Sequence, residues 1–334
     1  MKESIQKRIL SLSMFAGVAG TLAVSPFANW DPINLAKLLV ISSCAFSILF
    51  LAISSYLSRH DTKWTFSDFL YLSFGVALFV PVVFSGAPIT QQIWGVMGRN
   101  TGLLSYLSLL LVSWGLSKVN TYNLEERIVK SLILTGLLSF GYGILQAIGK
   151  DPVAWSQKFV FGTLGNVNFF AAFLALVTVS SLSIALTHRT IEIKKRFVYF
   201  AFAVALFILN LKTDSMQGPV TTGIGIILIL IIFIHQKRYL AKIQNVIVLI
   251  FVIGLSGTIG ILGLFNKGAF GSILYQDSNV FRKDYMLAGI RMTLKNPLAG
   301  VGLDSYDNWY RVERGFVAAY RTGVNRTSNS AHNI

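Results

Sequence analysis

The 334-residue chain is 54% hydrophobic and only 13% charged, and its mean hydropathy is +0.62. This composition excludes an ordinary soluble domain and is typical of a polytopic membrane protein. The one cysteine, Cys44, lies in an apolar run, which excludes an internal disulfide and a thiolate metal cluster. The net charge of +15 is divided among short clusters between apolar runs. Membrane lipids therefore explain most of it, and nucleic acid is not expected as a partner.

In chain order, nine apolar runs predict nine membrane-spanning helices. Several runs are about 18–22 residues long, which is enough for a helix to cross a ~30 Å hydrocarbon core. The predicted fold is all-α: a polytopic transmembrane helical bundle in residues 1–265, then a partly helical extracytoplasmic loop in residues 266–334, called the terminal loop below. The predicted spans are residues 9–28, 35–57, 69–84, 102–116, 132–148, 169–186, 197–211, 220–234 and 246–265.

The first run resembles a signal peptide, with a candidate cleavage site at Ala23-Val24-Ser25. Pro26 follows directly and further spans come next, which favours a retained first helix. If the N-terminus is cytoplasmic, the inner segments hold 15 Lys and Arg residues and the short outer segments hold five. This bias is the positive-inside pattern, and nine spans then place the terminal loop outside the cytoplasm.

The first outer segment with unusual polarity is residues 95–102, where Arg99 lies among glycines just before a span. An interfacial anchor is the ordinary interpretation, with Trp94 in the aromatic belt and Arg99 reaching the headgroups. The segment has more polar detail than a simple connector needs, so a binding role for Arg99 stays open.

Two further outer segments carry polar side chains. In residues 161–169, Asn166 or Asn168 is placed to cap a helix that starts near Phe169. A capped helix N-terminus also favours a bound phosphate. The very short turn at residues 210–219 crowds polar groups at the membrane edge, which favours a lined cavity over a lipid-facing turn. Those groups are Lys212, Asp214, Ser215 and Gln217, before a helix start at Gly218-Pro219.

The terminal loop carries nine of the 29 Lys and Arg residues. Residues 281–296 have a helical pattern, and Asp304 or Ser305 is expected to cap a second helix that includes residues 306–320. The residues on one face of the first helix are Phe281, Tyr285, Ala288 and Met292. A helix lying on the membrane surface is one interpretation. Binding of an anionic glycolipid is the other, because arginine chelates phosphate and flat rings stack on sugars.

A histidine, His332, lies near the end of this loop, followed by Asn333. A lone histidine more often has a structural role. On an extracytoplasmic loop, however, its ordinary pKa lies near ambient pH, which suits proton transfer. The residues alone leave the reaction open.

Taken in order, these motifs resemble the O-antigen ligase and polymerase superfamily of membrane glycosyltransferases. Residues 95–102 resemble its glycine-arginine-glycine outer loop, and residues 165–168 resemble its Gly-Asn-Pro-Asn turn, with Val167 replacing proline. Residues 282–302 are similar to its loop helix followed by Asn-Pro-Leu-x-Gly-x-Gly, and residues 330–333 resemble its His-Asn signature.

The resemblance implies an undecaprenyl-pyrophosphate-linked glycan donor and a glycan or lipid A-core type acceptor, used in cell-envelope polysaccharide biosynthesis. It implies a site on the outer face of the bacterial plasma (inner) membrane, with no metal or other cofactor. His332 would be the general base on the acceptor hydroxyl, or would orient it. Arg282, together with Arg99, would bind the pyrophosphate and stabilise the leaving group. The other substrate-binding residues it implies are Asn166, Asn168, Lys212, Ser215, Gln217 and Asn333.

The chain departs from the family in two places. Ligases of the family carry an arginine after a serine in the turn that follows the seventh span. Here Ser215 is followed by Met216 and Gln217, and Lys212 lacks the planar fork of arginine. This departure favours a polymerase or a divergent transferase over a strict ligase. The family also continues past the His-Asn pair with further helices, so we expect a partial sequence that is inactive in isolation.

The main alternative is a membrane transporter or flippase of a polar or lipid-linked solute. Transporters usually carry ionisable residues or broken helices near the bilayer midplane, and the predicted spans have almost none. A third class is a non-catalytic assembly or sensory protein whose terminal loop binds a partner. The absence of a predicted cytoplasmic domain argues against a sensor.

Overall fold

The fold was obtained as a computed structural model, and helices are the only regular secondary structure among its described residues, which confirms the all-α class. The described residues are 3–25, 31–57, 64–120, 123–153, 155, 159–187, 191–236, 254, 277–323, 325, 327, 328 and 330. The helices in this part of the chain are α1 (Glu3–Leu22), α2 (Asn34–Leu57), α3 (Phe66–Phe84), α4 (Ile89–Trp94), α5 (Leu103–Ser117), α6 (Leu124–Ala147), α7 (Val167–Thr187), α8 (Ile193–Leu211), α9 (Gln217–Gln236), α10 (Asp277–Lys295), α11 (Tyr306–Glu313) and α12 (Phe316–Thr322).

Four of these helices, α2, α3, α6 and α7, are long and apolar enough to cross a membrane. Helices α5 and α9 contain shorter apolar stretches. Helices α1 and α8 begin with charged residues, and their uncharged parts, residues 9–22 and 197–211, rise only roughly 21–22 Å. The predicted span at residues 246–265 lies outside the described residues. The count of nine spans is therefore not confirmed, whereas a multi-pass arrangement is compatible with the apolar helices.

Large apolar side chains cover the outer surfaces of these helices. In α2, Phe50 is 72% exposed, and in α3, Phe66 and Phe84 are 79% and 73% exposed. Monomeric soluble proteins rarely expose contiguous apolar surface of this kind. Contact with lipid acyl chains is the environment that suits it.

The chain divides into two compact units, of which the first comprises residues 1–124 and 276–334. In this unit α2 packs against both α1 and α5. Ile9, Leu10, Ile48 and Val119 form its buried apolar cluster. Gly115 allows α5 to approach α2 closely, because a Cβ at this position would lie 2.4 Å from a methyl carbon of Ile48.

The described part of the terminal loop belongs to the first unit, and its helices pack against one another. Tyr285, Ala288 and Met292 of α10 are buried together with Tyr310 of α11, and Phe281 packs against them. This confirms the predicted apolar face of α10. The rings of Tyr285 and Tyr310 meet edge to face with their centroids 5.3 Å apart, an arrangement that stabilises aromatic pairs.

The second helix predicted in the terminal loop is wrong in its extent, because two helices, α11 and α12, replace it. Arg314 and Gly315 between them are extended, with ψ values of 145° and 157°. Glu313 ties the end of α11 to α10: its carbonyl accepts a hydrogen bond from Arg291 Nη1 at 2.9 Å, and its buried carboxylate binds Lys295 Nζ at 2.7 Å. These contacts hold the chain where it turns, so the helix does not continue.

The second unit comprises residues 125–275. In its described part α7 packs against both α8 and α9. Phe170, Leu174 and Val177 of α7 and Leu206 of α8 are buried in its apolar core. Helix α7 therefore carries the centre of this unit, and its N-terminal end holds the polar residues described below.

Candidate functional site

In the first unit, Arg99 is paired with Asp304 of the terminal loop. Arg99 Nε lies 3.7 Å from Asp304 Oδ1, and the side chains are 31% and 2% exposed. Asp304 Oδ2 also accepts hydrogen bonds from the backbone N–H groups of Val96 at 2.7 Å and Thr101 at 3.3 Å. The buried carboxylate is thus satisfied by charge and by backbone donors, and it balances the charge of Arg99.

The glycines of residues 95–102 allow the backbone to curl around this carboxylate. Gly95 has a φ of +83°, and a Cβ there would lie 2.7 Å from Asp304 Oδ2 and 2.5 Å from Thr101 N. A side chain at this position would displace the carboxylate. The glycine pattern noted in the sequence therefore serves attachment of the terminal loop. Sequence reasoning treated Asp304 only as a helix cap and missed this contact.

A second attachment lies between α4 and the turn before α11. Gln92 is fully buried, and its Oε1 accepts hydrogen bonds from Leu303 N at 3.3 Å and Ser85 Oγ at 3.1 Å. Gly302 adopts a φ of +99°, and a Cβ there would lie 2.7 Å from Ala87 Cβ. The second glycine of the Asn-Pro-Leu-x-Gly-x-Gly motif is therefore a close-packing position. Ser305 occupies the N-cap position of α11, but its hydroxyl donates to the Leu303 carbonyl instead of capping the helix.

A cleft of about 630 Å³ opens beside these contacts, where three segments of the first unit meet. They are the start of α2, the end of α4 with residues 95–102, and the start of α11. Its lining includes Asp31, Leu35, Trp94, Met97, Asn100 and Asp307. We call it the Trp94 cleft. Its volume lies within the range of small-molecule sites.

Hydrogen bonds fix the walls of the Trp94 cleft to one another. Asp31 caps α2, with Oδ1 accepting from Asn34 N at 2.8 Å. Asn34 Nδ2 donates to the Gly98 carbonyl at 2.6 Å, which joins α2 to residues 95–102. Gln91 donates from Nε2 to the Asp304 carbonyl at 2.9 Å and accepts from Asn308 Nδ2 at 3.2 Å. The cleft is therefore a built feature of the first unit.

The two residues to which the resemblance gives catalytic roles differ in what the structure says of them. Arg282 lies on α10 and is exposed, and its side chain makes no ion pair or hydrogen bond with another residue of the described ranges. His332 lies outside the described residues, as does Asn333.

In the second unit, the structure brings together two of the predicted substrate-binding residues. Asn168 Oδ1 accepts a hydrogen bond from Ser215 Oγ at 2.7 Å. Asn166 caps α7 through its Oδ1, which accepts from the N–H of Asn168 at 2.8 Å. This is the plain helix cap that the sequence predicts. Lys212 and Gln217 are exposed at the ends of α8 and α9.

Asn210 and Gly218 explain the shape of the turn at residues 210–219, and sequence reasoning missed Asn210. Its side chain is fully buried and its Nδ2 donates to the Ala171 carbonyl at 3.0 Å. A Cβ at Gly218 would lie 1.9 Å from Asn210 Oδ1. The side chain of Asn210 thus has a structural role in this turn, packed against Gly218. The sequence signal that could have revealed it was an asparagine at the end of an apolar run.

No family model, curated protein or solved structure matches the chain.

Proposed function

We propose that the chain is a membrane glycosyltransferase, of the O-antigen ligase or polymerase kind, that transfers or polymerises a glycan from an undecaprenyl-pyrophosphate donor without a metal. One observation carries the proposal. Two motif-bearing segments, residues 95–102 and the terminal loop, meet through a hydrogen bond between Val96 and Asp304, 208 positions apart, and form walls of one cleft. The proposed location is the bacterial plasma membrane, with the terminal loop outside the cytoplasm.

In the proposed reaction, the acceptor hydroxyl oxygen attacks the anomeric carbon of the donor sugar. His332 accepts the hydroxyl proton, and the bond between the anomeric carbon and the pyrophosphate oxygen breaks. Undecaprenyl pyrophosphate leaves with the electron pair of that bond. Arg282 binds the pyrophosphate bidentately and stabilises the charge that develops on it.

Arg99 has a positioning role in this proposal. Its charge is balanced by Asp304, a carboxylate that is 2% exposed. A pyrophosphate at Arg99 would have to compete with this carboxylate, whereas Arg282 is exposed. We therefore assign pyrophosphate binding to Arg282, whereas Arg99 neutralises the buried carboxylate through which Asp304 attaches residues 95–102 to the terminal loop.

The test is transfer from a labelled lipid-linked glycan in proteoliposomes that hold the protein. Arg282→Ala should lower the rate about 100-fold or more, as expected for loss of a group that stabilises transition-state charge. Arg282→Lys should recover only part of the rate, because lysine cannot bind bidentately. The neighbouring exposed cation provides the matched control, and Lys283→Ala should leave the rate within about threefold of normal.

His332→Ala should abolish transfer, with His60→Ala as its control. Full activity in His332→Ala would show that this residue is not the base. Movement of the labelled donor across the bilayer without any transfer would favour the transporter alternative instead. Equal losses in Arg282→Ala and Lys283→Ala would mean that Arg282 contributes only general positive charge.

A further inference from the structure

The Trp94 cleft combines an exposed aromatic ring with negative charge. Trp94 is 45% exposed, and two acidic residues, Asp31 and Asp307, are among the residues of the lining. Among the described residues, no lysine or arginine lines the cleft. A phosphate or another anion placed there would meet carboxylates without a compensating cation, which is unfavourable in a partly enclosed site.

The carboxylates are the strongest hydrogen-bond acceptors among the residues of the cleft lining. Asp307 Oδ1 accepts one hydrogen bond, from Asn308 N at 3.0 Å, and a carboxylate has capacity for more. The ligand that complements this lining must supply several donors and must not be an anion.

Sugars meet both requirements, because each ring carries several hydroxyl donors and one largely apolar face. Cation–π attraction and carboxylates further favour a sugar that bears an ammonium group. The cleft volume, about 630 Å³, leaves room for more than one sugar ring. A purely apolar ligand would leave the remaining acceptor capacity of the Asp307 carboxylate without donors.

We infer that the Trp94 cleft binds uncharged or amino-bearing sugar residues of the glycan, stacked on Trp94, and that Asp31 and Asp307 exclude phosphate and uronate groups. The inference rests on the proposed function, since a glycan substrate gives the cleft its use. It divides the donor between two places: the sugar lies in the acidic cleft, and the pyrophosphate lies at Arg282.

The experiment measures binding without a lipid carrier. The chain in nanodiscs is titrated with methyl glycosides of glucose, galactose and mannose, their 2-amino and 2-acetamido derivatives, and their uronic acids, and saturation-transfer NMR reports the Kd. At least one neutral or amino sugar should bind at least about tenfold more tightly than its uronic acid. Trp94→Ala should weaken that binding about tenfold or more, and Trp94→Phe should weaken it less.

Two variants make the measurement specific to the cleft. Asp307→Asn keeps the shape of the side chain but removes its negative charge. The ratio of the Kd of the uronic acid to the Kd of the neutral sugar should therefore fall at least about threefold. Trp309→Ala removes an exposed tryptophan that does not line the cleft and should leave the Kd unchanged.

The inference is overturned if no neutral or amino sugar shows binding that depends on Trp94, or if uronic acids bind equally well. Sugar binding and transfer are separate readouts. If the protein transfers glycan but no sugar binds in the cleft, this inference alone is refuted. If a sugar binds in the cleft but no glycan is transferred, the proposed function alone is refuted.

Discussion

Replacement of Asp304 by alanine should detach residues 95–102 from the terminal loop. Its carboxylate, 2% exposed, accepts hydrogen bonds from Val96 N at 2.7 Å and Thr101 N at 3.3 Å. Loss of a hydrogen bond to a charged group costs about 1.5–3 kcal/mol. We count the shorter bond in full and the longer one in part. The ion pair adds little, because the Arg99 side chain is 31% exposed. The free energy of opening these residues should fall by about 2–4 kcal/mol.

Amide hydrogen exchange, followed by mass spectrometry, measures this local opening. Because 1.36 kcal/mol corresponds to a factor of ten, residues 95–102 should exchange roughly 30- to 1000-fold faster in Asp304→Ala. Asp304→Asn keeps an acceptor oxygen, so its exchange should be intermediate. The matched control is Asp307→Ala, which removes a nearby carboxylate that makes no hydrogen bond to these amides. Unchanged exchange in Asp304→Ala, or equal acceleration in the control, would refute Asp304 as the attachment point.

Three further substitutions test close contacts. Gly302 has a φ of +99°, and Gly302→Ala would place a Cβ 2.7 Å from a neighbouring side chain. The substitution should lower the free energy of unfolding by about 1–3 kcal/mol and speed limited proteolysis of the terminal loop. Gly218→Ala would place a Cβ 1.9 Å from Asn210 Oδ1; it should lower the melting temperature, and adding Asn210→Ala should restore part of the loss. Tyr306→Phe removes a 2.5 Å hydrogen bond to a backbone carbonyl of α10 and should lower the free energy of unfolding by about 1 kcal/mol. Burial raises the pKa of Tyr306, so the normal chain should lose stability as pH rises above about 10, and Tyr306→Phe should lose less.

Each of these expectations has a contrary outcome. Unchanged proteolysis in Gly302→Ala would mean that the terminal loop does not pack closely on α4. If the double variant Gly218→Ala with Asn210→Ala is no more stable than Gly218→Ala alone, the clash with Asn210 is not the cause of the lowered melting temperature. If the normal chain and Tyr306→Phe lose stability equally at high pH, groups other than the Tyr306 hydroxyl cause the loss. For Gly302→Ala the control is Gly300→Ala, at a glycine with open space around it, which tests backbone strain alone.

Local patterns in the sequence predict local features of this fold. Apolar residues at helical spacing predict the buried face of α10, and the cap of α7 by Asn166 is also predicted. Both depend on residues within about four positions of one another, and a single sequence contains that information in full. The spans predicted from hydropathy at α1 and α8 are not confirmed, because charged residues occupy the first part of each helix.

Contacts between distant segments leave no comparable signal. Asp304 precedes a helix, so its residue type suits a cap equally well, and only the fold turns it toward residues 95–102. Helix α4 has six residues, too few for a recognisable period, although Pro88 at its N-cap is a start signal. Gln92 was missed for the same reason: its importance comes from burial against the turn before α11, not from its neighbours in sequence.

The attachment of the terminal loop through backbone groups has a consequence for divergence. Asp304 binds the N–H groups of Val96 and Thr101, and every residue type except proline supplies such a donor. Side chains such as Met97, which line the cleft, can therefore vary while the loop stays attached. We expect substitutions at these positions to change which ligands the cleft accepts, and a library randomised there should keep its fold while its ligands change.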